Sequence, residues 1–207
     1  ILLIILNMLF FIDTISPIPK FVFSDDNIIT FEKIPTNNDT QVSDSIIKKI
    51  LEIYKNNLKK INTIGVCTGP GSFTSLRMGI ALGIGLKSSL NIPLFGINAF
   101  EILLHYSTLN YSYNNINVFI QSSNNQNFYA QFNKNKDIIL QPKKIDDLSN
   151  IKTEFNNSII ISNYKMNKKD IHNHFSFNTS KDIGKIINSK NYNEFNINTK
   201  NIHPLYL

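Results

Sequence analysis

The apolar residues of this chain fall into short continuous runs near the amino terminus, give way to helical spacing, and then return to runs. Leu9 to Thr14 is almost wholly apolar and predicts a buried strand. Pro17 and Pro19 interrupt it, and Lys20 to Ser24 resumes a strand pattern, so the two predict a hairpin. Asp25-Asp26-Asn27 turns the chain into a third strand, Ile28 to Ile34, ended by Pro35. After a polar loop, Val42, Ile46, Ile47, Ile50, Leu51, Tyr54 and Leu58 recur at intervals of three and four. That spacing predicts an amphipathic helix of about five turns whose apolar face serves either the core or a partner helix.

Ile61 to Thr68 reads as a strand, and Gly69-Pro70-Gly71 as a tight turn of residues that tolerate unusual backbone angles. Ser72 or Thr74 caps the next helix, which runs to about Leu90. Ser75, Gly79 and Gly83 form a stripe of small residues along it, where another backbone can come close, while Phe73, Leu76, Ile80, Ile84 and Leu86 make it apolar nearly all round. Such a helix is buried on several sides, by its own fold or by a partner. Pro93 to Asn98 gives a strand and Ala99 to Ser107 a short helix, so the order becomes strand, helix, strand, helix, with parallel pairing. Thr108 to Asn117 reads as a polar linker between two lobes. Beyond it, Val118 to Ser122 and Asn127 to Asn133 predict a hairpin, Lys144 to Leu148 a loop or helical turn, Ile159 to Ser162 a strand and Asp182 to Asn188 a short helix. No internal sequence repeat is evident.

The first twelve residues, ILLIILNMLFFI, are too few to span a bilayer, which needs about 20 apolar residues. They also lack a basic flank and a small-residue cleavage site. The reading adopted is that Met8 opens the folded part, with residues 1–7 an upstream extension, 8–110 a first lobe and 111–207 a smaller second lobe. Composition changes this picture little. The net charge of +6 comes from Lys almost throughout, in a chain rich in Asn and Ile, as codon drift in an AT-rich genome produces, so it is weak grounds for nucleic-acid binding. One cysteine rules out an internal disulfide and suits a reducing, cytoplasmic setting. Cys67 stands in an apolar run and reads as a small buried hydrophobe.

Seven of the eight glycines lie between Asn62 and Asn98, with Cys67 and the one arginine, Arg77. A glycine loop after a strand and before a helix offers backbone N–H groups to anions. GPGSFTSLR nevertheless lacks the lysine of a P-loop and the spacing of a dinucleotide fingerprint, and no glycine precedes Gly65 to let a first hairpin approach phosphates. The loop therefore reads as a structural turn and nucleotide binding as doubtful. The four histidines form no HxxxH or HExxH pair. Asp13 reads as a carboxylate bonded within its hairpin, and Ser72 has no evident histidine base. Arg77 is open between a plain surface arginine and a specific ion-pair or interface residue.

GPGSFTSLRMGIALGIGLKSSLNIPLFGINAFEIL resembles the TsaB family, with MLFFIDT at Met8 similar to the opening strand of that family and Pro204-Leu205-Tyr206-Leu207 similar to its P-x-Y-L tail. The resemblance implies an α/β fold of the actin-like ASKHA (ribonuclease H-like) type, two-lobed, with mixed sheets flanked by helices. It implies a non-catalytic subunit, without cofactor or metal, that activates a TsaD-type enzyme. Together with a TsaE-type ATPase, the pair supports transfer of a threonylcarbamoyl group to the tRNA adenosine beside the anticodon. Contact with tRNA would then be indirect, no membrane is involved, and homodimerisation stays open. Carried over by residue, the partner interface comprises Ser72, Phe73, Thr74, Leu76, Arg77, Ile80 and Ile84, with Ile46, Ile50 and Tyr54 beside them. Gly69, Pro70, Gly71, Gly79 and Gly83 are the structural loop and packing positions. Ser75 departs from the usual glycine of the family, and Ser122-Ser123-Asn124 from its Asp-Ala-Arg. The alternative class is a catalytically active, nucleotide-binding ASKHA transferase. A peptidase has no supporting metal ligands.

Overall fold

A computed structural model describes residues 8–25, 28–33, 42–56, 61–110, 113–146, 158–164, 174–176 and 202–207. Strands β1 (Met8–Asp13), β2 (Lys20–Asp25) and β3 (Ile28–Lys33) form an antiparallel meander. Helix α1 (Val42–Asn56) follows, and β4 (Ile61–Cys67) then pairs parallel to β1. Helix α2 (Phe73–Leu90) carries the chain to β5 (Leu94–Ile97), parallel to β4, and α3 (Ala99–Asn110) leaves this sheet, whose order is β3-β2-β1-β4-β5.

The second sheet repeats that plan. Strands β6 (Asn115–Gln121), β7 (Asn127–Asn133) and β8 (Ile138–Ile145) form a second antiparallel meander. On the other side of β6 lie β9 (Ser158–Ser162) and β10 (His174–Ser176), each parallel to its neighbour, giving the order β10-β9-β6-β7-β8. The two halves thus share one topology although their sequences show no repeat, because strand order depends on apolar pattern and connection length rather than on particular residues.

Alternation along β1 shows how the first sheet is covered. Leu9 and Phe11 join a core with Phe100 and Leu103 of α3 and with Ile116, Val118 and Phe128 of the second sheet. Phe10 and Ile12 join another with Ile46 of α1 and Ile80 and Leu86 of α2. Both faces are therefore buried, which is why the strand is apolar at successive positions. Helix α3 lies in the shared core against β6 and β9. Phe119, Tyr129 and Ile160 make a third cluster on the other side of the second sheet.

Several expectations need correction. The polar linker proposed for Thr108 to Asn117 is taken up at both ends, since α3 runs to Asn110 and β6 starts at Asn115. The loop or helical turn expected from Lys144 lies partly in β8, a strand missed because it carries Pro142 and is mostly exposed. Its place at the sheet edge tolerates both features, and Gln141 and Pro142 fall at a register shift opposite Ala130. The short strand β10 was also unforeseen. The helix expected at Asp182 to Asn188 and the extension at residues 1–7 lie outside the described residues. Among the described residues no helix is long and apolar enough to cross a membrane.

Candidate functional site

The loop between β4 and α2 brings the distinctive residues together. Ser72 is the N-cap that the sequence offers beside Thr74: its backbone is extended, and its hydroxyl accepts a hydrogen bond from the Ser75 amide at 3.2 Å. Gly69 sits at φ 122°, where a side chain is strained, and its carbonyl accepts from the Ala99 amide that starts α3. Helix α3 has a capping box of its own, in which the Asn98 side chain accepts from the Glu101 amide and Glu101 accepts in return from the Asn98 amide. Burial pushes the Glu101 carboxyl upward, opposed by hydrogen bonds from the backbone and side chain of Asn98.

Asp13 ends β1 directly beneath this loop. It is buried, accepts from the amides of Ile15 and Ser16 at 3.1 Å and from the Ser16 hydroxyl at 2.5 Å, and pairs with Lys20 at 3.9 Å. The carboxylate is thus engaged by its own hairpin, as expected. Neighbouring atoms close the same corner. The Thr14 hydroxyl donates to the Ser75 carbonyl at 2.7 Å, the Ser123 amide donates to the Ile15 carbonyl at 2.8 Å, and the Ser75 and Ser123 hydroxyls lie 3.4 Å apart. The contact between Ser75 and Ser123 thus joins α2 to the turn between β6 and β7.

Cys67 is 3% exposed, and burial, then the nearby Asp13 charge, holds its thiol well above the ordinary thiol range. A protonated, enclosed thiol is a packing residue. Among the described residues, no group of three or more His, Cys, Asp or Glu side chains could hold a metal ion.

Helix α2 has two faces. Leu76, Gly79, Ile80, Gly83 and Leu86 are buried. The small-residue stripe is used, but the chain's own sheet fills it: a Cβ on Gly79 would lie 2.5 Å from the Thr14 hydroxyl, and one on Gly83 would lie 2.5 Å from a Val66 methyl. Leu76 at 0% exposure, Ile80 at 7% and Ile46 at 3% belong to the core. Their assignment to a partner surface is therefore corrected, because side chains packed in one core are not available to another. Ser72 and Ile50 are half-buried. Phe73 at 53% and Ile84 at 48% stand exposed, with Thr74, Arg77 and Ala81 also in solvent. Phe73, Arg77, Ala81 and Ile84 follow at helical intervals and make one outward stripe. The Tyr54 side chain lies outside the described residues, although its backbone belongs to α1.

The segment 202–207, which contributed only a tail motif to the sequence reading, is part of this site. Leu205 donates its amide to the Thr68 carbonyl at 2.7 Å, and Tyr206 stacks on Phe73 with ring centroids 5.3 Å apart. The Arg77 guanidinium lies 3.7 Å from the Phe73 ring centroid, and its Nε donates to the Tyr206 hydroxyl at 3.4 Å. No local pattern announces the contacts of the tail, of which the one between Arg77 and Tyr206 joins positions 129 residues apart.

Comparison with known proteins places this geometry. A sequence model of the TsaD family, tRNA N6-adenosine threonylcarbamoyltransferase, matches residues 36–185. Two curated relatives are each named tRNA threonylcarbamoyladenosine biosynthesis protein TsaB. One, from Buchnera aphidicola subsp. Schizaphis graminum (strain Sg), is 36% identical over 77 residues, covering 37% of this chain and 37% of the relative. The other, from Buchnera aphidicola subsp. Acyrthosiphon pisum (strain APS), is 30% identical over 77 residues, covering 37% of this chain and 35% of the relative. The matched stretch thus spans little more than a third of these relatives. The solved structure of YeaZ from Pseudomonas aeruginosa superposes with a TM-score of 0.62 at 12% identity, covering 97% of this chain and 100% of that one. A structure described as an uncharacterized protein with similarity to peptidase YEAZ from the same organism superposes with a TM-score of 0.60 at 13% identity, covering 97% and 99%. At such identities the likeness speaks to the fold, and with the two repeated mixed sheets it is the actin-like α/β fold. The chain belongs to the TsaD family, and it is similar in sequence to relatives named TsaB and in fold to YeaZ.

Proposed function

We propose that this chain is a non-catalytic subunit in the biosynthesis of tRNA threonylcarbamoyladenosine, docking through the outward stripe of α2 onto a TsaD-type catalytic homologue. The observation that carries the reading is the exposure of Phe73 and Ile84 on a helix whose other face is already packed. Large apolar side chains in one exposed stripe mark an interaction surface more often than scattered ones do. The relatives named TsaB supply the pathway. The engagement of Asp13 by its own hairpin supports a subunit that leaves chemistry to its partner. A TsaE-type ATPase joins the same assembly, tRNA is met through the partner, and the setting is the cytoplasm. The lobe division at about residue 110 follows the passage from the first sheet to the second.

The test is titration of the purified chain with the TsaD-type protein of the same cell. Wild type is expected to bind, and Ile84→Asp to bind much more weakly while remaining folded. Equal binding by the two removes the outward stripe from the interface. Titration with Mg-ATP alone addresses the rival class: saturable binding in the micromolar range would favour an active nucleotide-binding transferase.

A further inference from the structure

An exposed arginine ordinarily samples many rotamers, so fixing one on binding costs side-chain entropy. Arg77 is already held at two points. Its guanidinium lies over the Phe73 ring, and its Nε donates to the Tyr206 hydroxyl. Tyr206 in turn stacks on Phe73 at an interplanar angle of 27°, so the three side chains form a closed set.

What holds Tyr206 there is backbone. The Leu205 amide is bonded to the Thr68 carbonyl, and the Leu205 carbonyl passes so close to Gly69 that a Cβ there would lie 2.7 Å away. Leu205 packs against one core cluster and Ile202 against the other. Segment 202–207 is therefore a strap seated across the end of β4, and it delivers a phenol to the outward face of α2.

The Arg77 contacts use Nε and the ring face and leave the terminal amino groups of the fork for another molecule. Among the described residues Arg77 makes no ion pair, and the first turn of α2 carries no acidic residue. A single cation within an apolar stripe is matched by an apolar surface bearing one carboxylate, which a planar guanidinium takes with two parallel hydrogen bonds.

We propose that Phe73, Arg77 and Tyr206 form one recognition element, in which Tyr206 is a positioning residue that holds the Arg77 guanidinium for a carboxylate on an apolar surface of the docking partner. This rests on the docking reading given above and names the chemistry the partner must present. It also gives the segment 202–207 a role in recognition as well as in folding.

The experiment compares dissociation constants for the purified TsaD-type partner across wild type, Arg77→Lys, Arg77→Ala, Tyr206→Phe, Tyr206→Ala and Ile84→Asp, at low and high salt, with thermal midpoints recorded for each. Arg77→Lys keeps the charge and loses the planar fork, and is expected to weaken binding about tenfold. Tyr206→Ala is expected to do the same, and Tyr206→Phe, which keeps the stack and loses the hydroxyl, to weaken it about threefold. Wild-type binding weakens with salt, whereas Arg77→Ala and Tyr206→Ala lose most of that dependence, a readout that a merely structural role for Tyr206 would not move. Should Tyr206→Ala prove less stable, the Arg77→Lys and Tyr206→Phe variants carry the test. Wild-type affinity in Arg77→Lys and both Tyr206 variants, with Ile84→Asp weakened, overturns the recognition element and leaves the docking face standing. Wild-type affinity in Ile84→Asp overturns the docking face, and this proposal with it.

Discussion

On the inward face of α2, Leu76, Gly79, Ile80, Gly83 and Leu86 lie against the first sheet, whereas on the outward face Phe73, Arg77, Ala81 and Ile84 stand in solvent. Both faces are apolar in composition, yet their side chains differ in size in a telling way. Inward positions alternate glycine with leucine or isoleucine, so Thr14 and Val66 can fill the gaps. Among the described residues the outward positions have no such complement, and Phe73 finds its neighbours in one arginine and one tyrosine. A helix that looks uniformly hydrophobic is thus divided between a face packed in the fold and a face left in solvent.

Substitutions on the two faces should separate cleanly, and the largest effect belongs inside. Leu76→Ala, at a position with 0% exposure, is expected to lower unfolding free energy by about 2–5 kcal/mol in urea titration. Its affinity per folded molecule should stay at the wild-type level. Gly79→Val forces a methyl-bearing carbon into the Thr14 hydroxyl and disturbs its bond to Ser75, for a loss of about 1–3 kcal/mol. Either variant proving as stable as wild type would break the distinction from the inner side.

Outside, Ile84→Asp should change stability by no more than about 0.5 kcal/mol while weakening partner binding by about 2 kcal/mol, roughly thirtyfold. Ser72 stands where the two faces begin. Ser72→Ala removes the acceptor for the Ser75 amide and is expected to cost about 1 kcal/mol in thermal or urea unfolding, with binding unchanged.

The smallest effect sharpens the comparison through Cys67, which shares a core cluster with Leu76. Alkylation by iodoacetamide should be slow in the native protein, faster in Leu76→Ala, and as slow as wild type in Ile84→Asp. The sign of the pH dependence follows from burial. Because folding raises the thiol pKa, the unfolded chain releases this proton first, so the group makes stability fall as pH rises past the ordinary thiol value. Replacing Cys67 with Ala should remove that contribution, as urea titrations below and above the ordinary thiol value would show.

The elements themselves were largely legible. The strand at Met8–Asp13, the helix at Phe73–Leu90 and a cap at Ser72 or Thr74 follow from apolar runs, helical spacing and short polar side chains, and the structure selects Ser72. Where legibility failed, exposure and edge position were responsible. Strand β8 has little apolar contrast and carries a proline, since an edge strand need not bury either face or donate at every residue. The duplicated topology escaped notice because pairing order leaves no residue signature. The candidate interface residues that fall on α2 mix its two faces, since a pattern that is apolar all round gives no direction.

By itself the sequence determined which segments are strands and helices, where α2 starts and why glycines lie along it, because these depend on backbone preferences and periodicities within a few residues. Only the tertiary structure decided which face of α2 the sheet occupies and that Tyr206 reaches Phe73 and Arg77. Those outcomes depend on contacts between positions far apart in the chain, where local patterning carries no information and the packing of β4, α2 and the 202–207 strap sets the geometry.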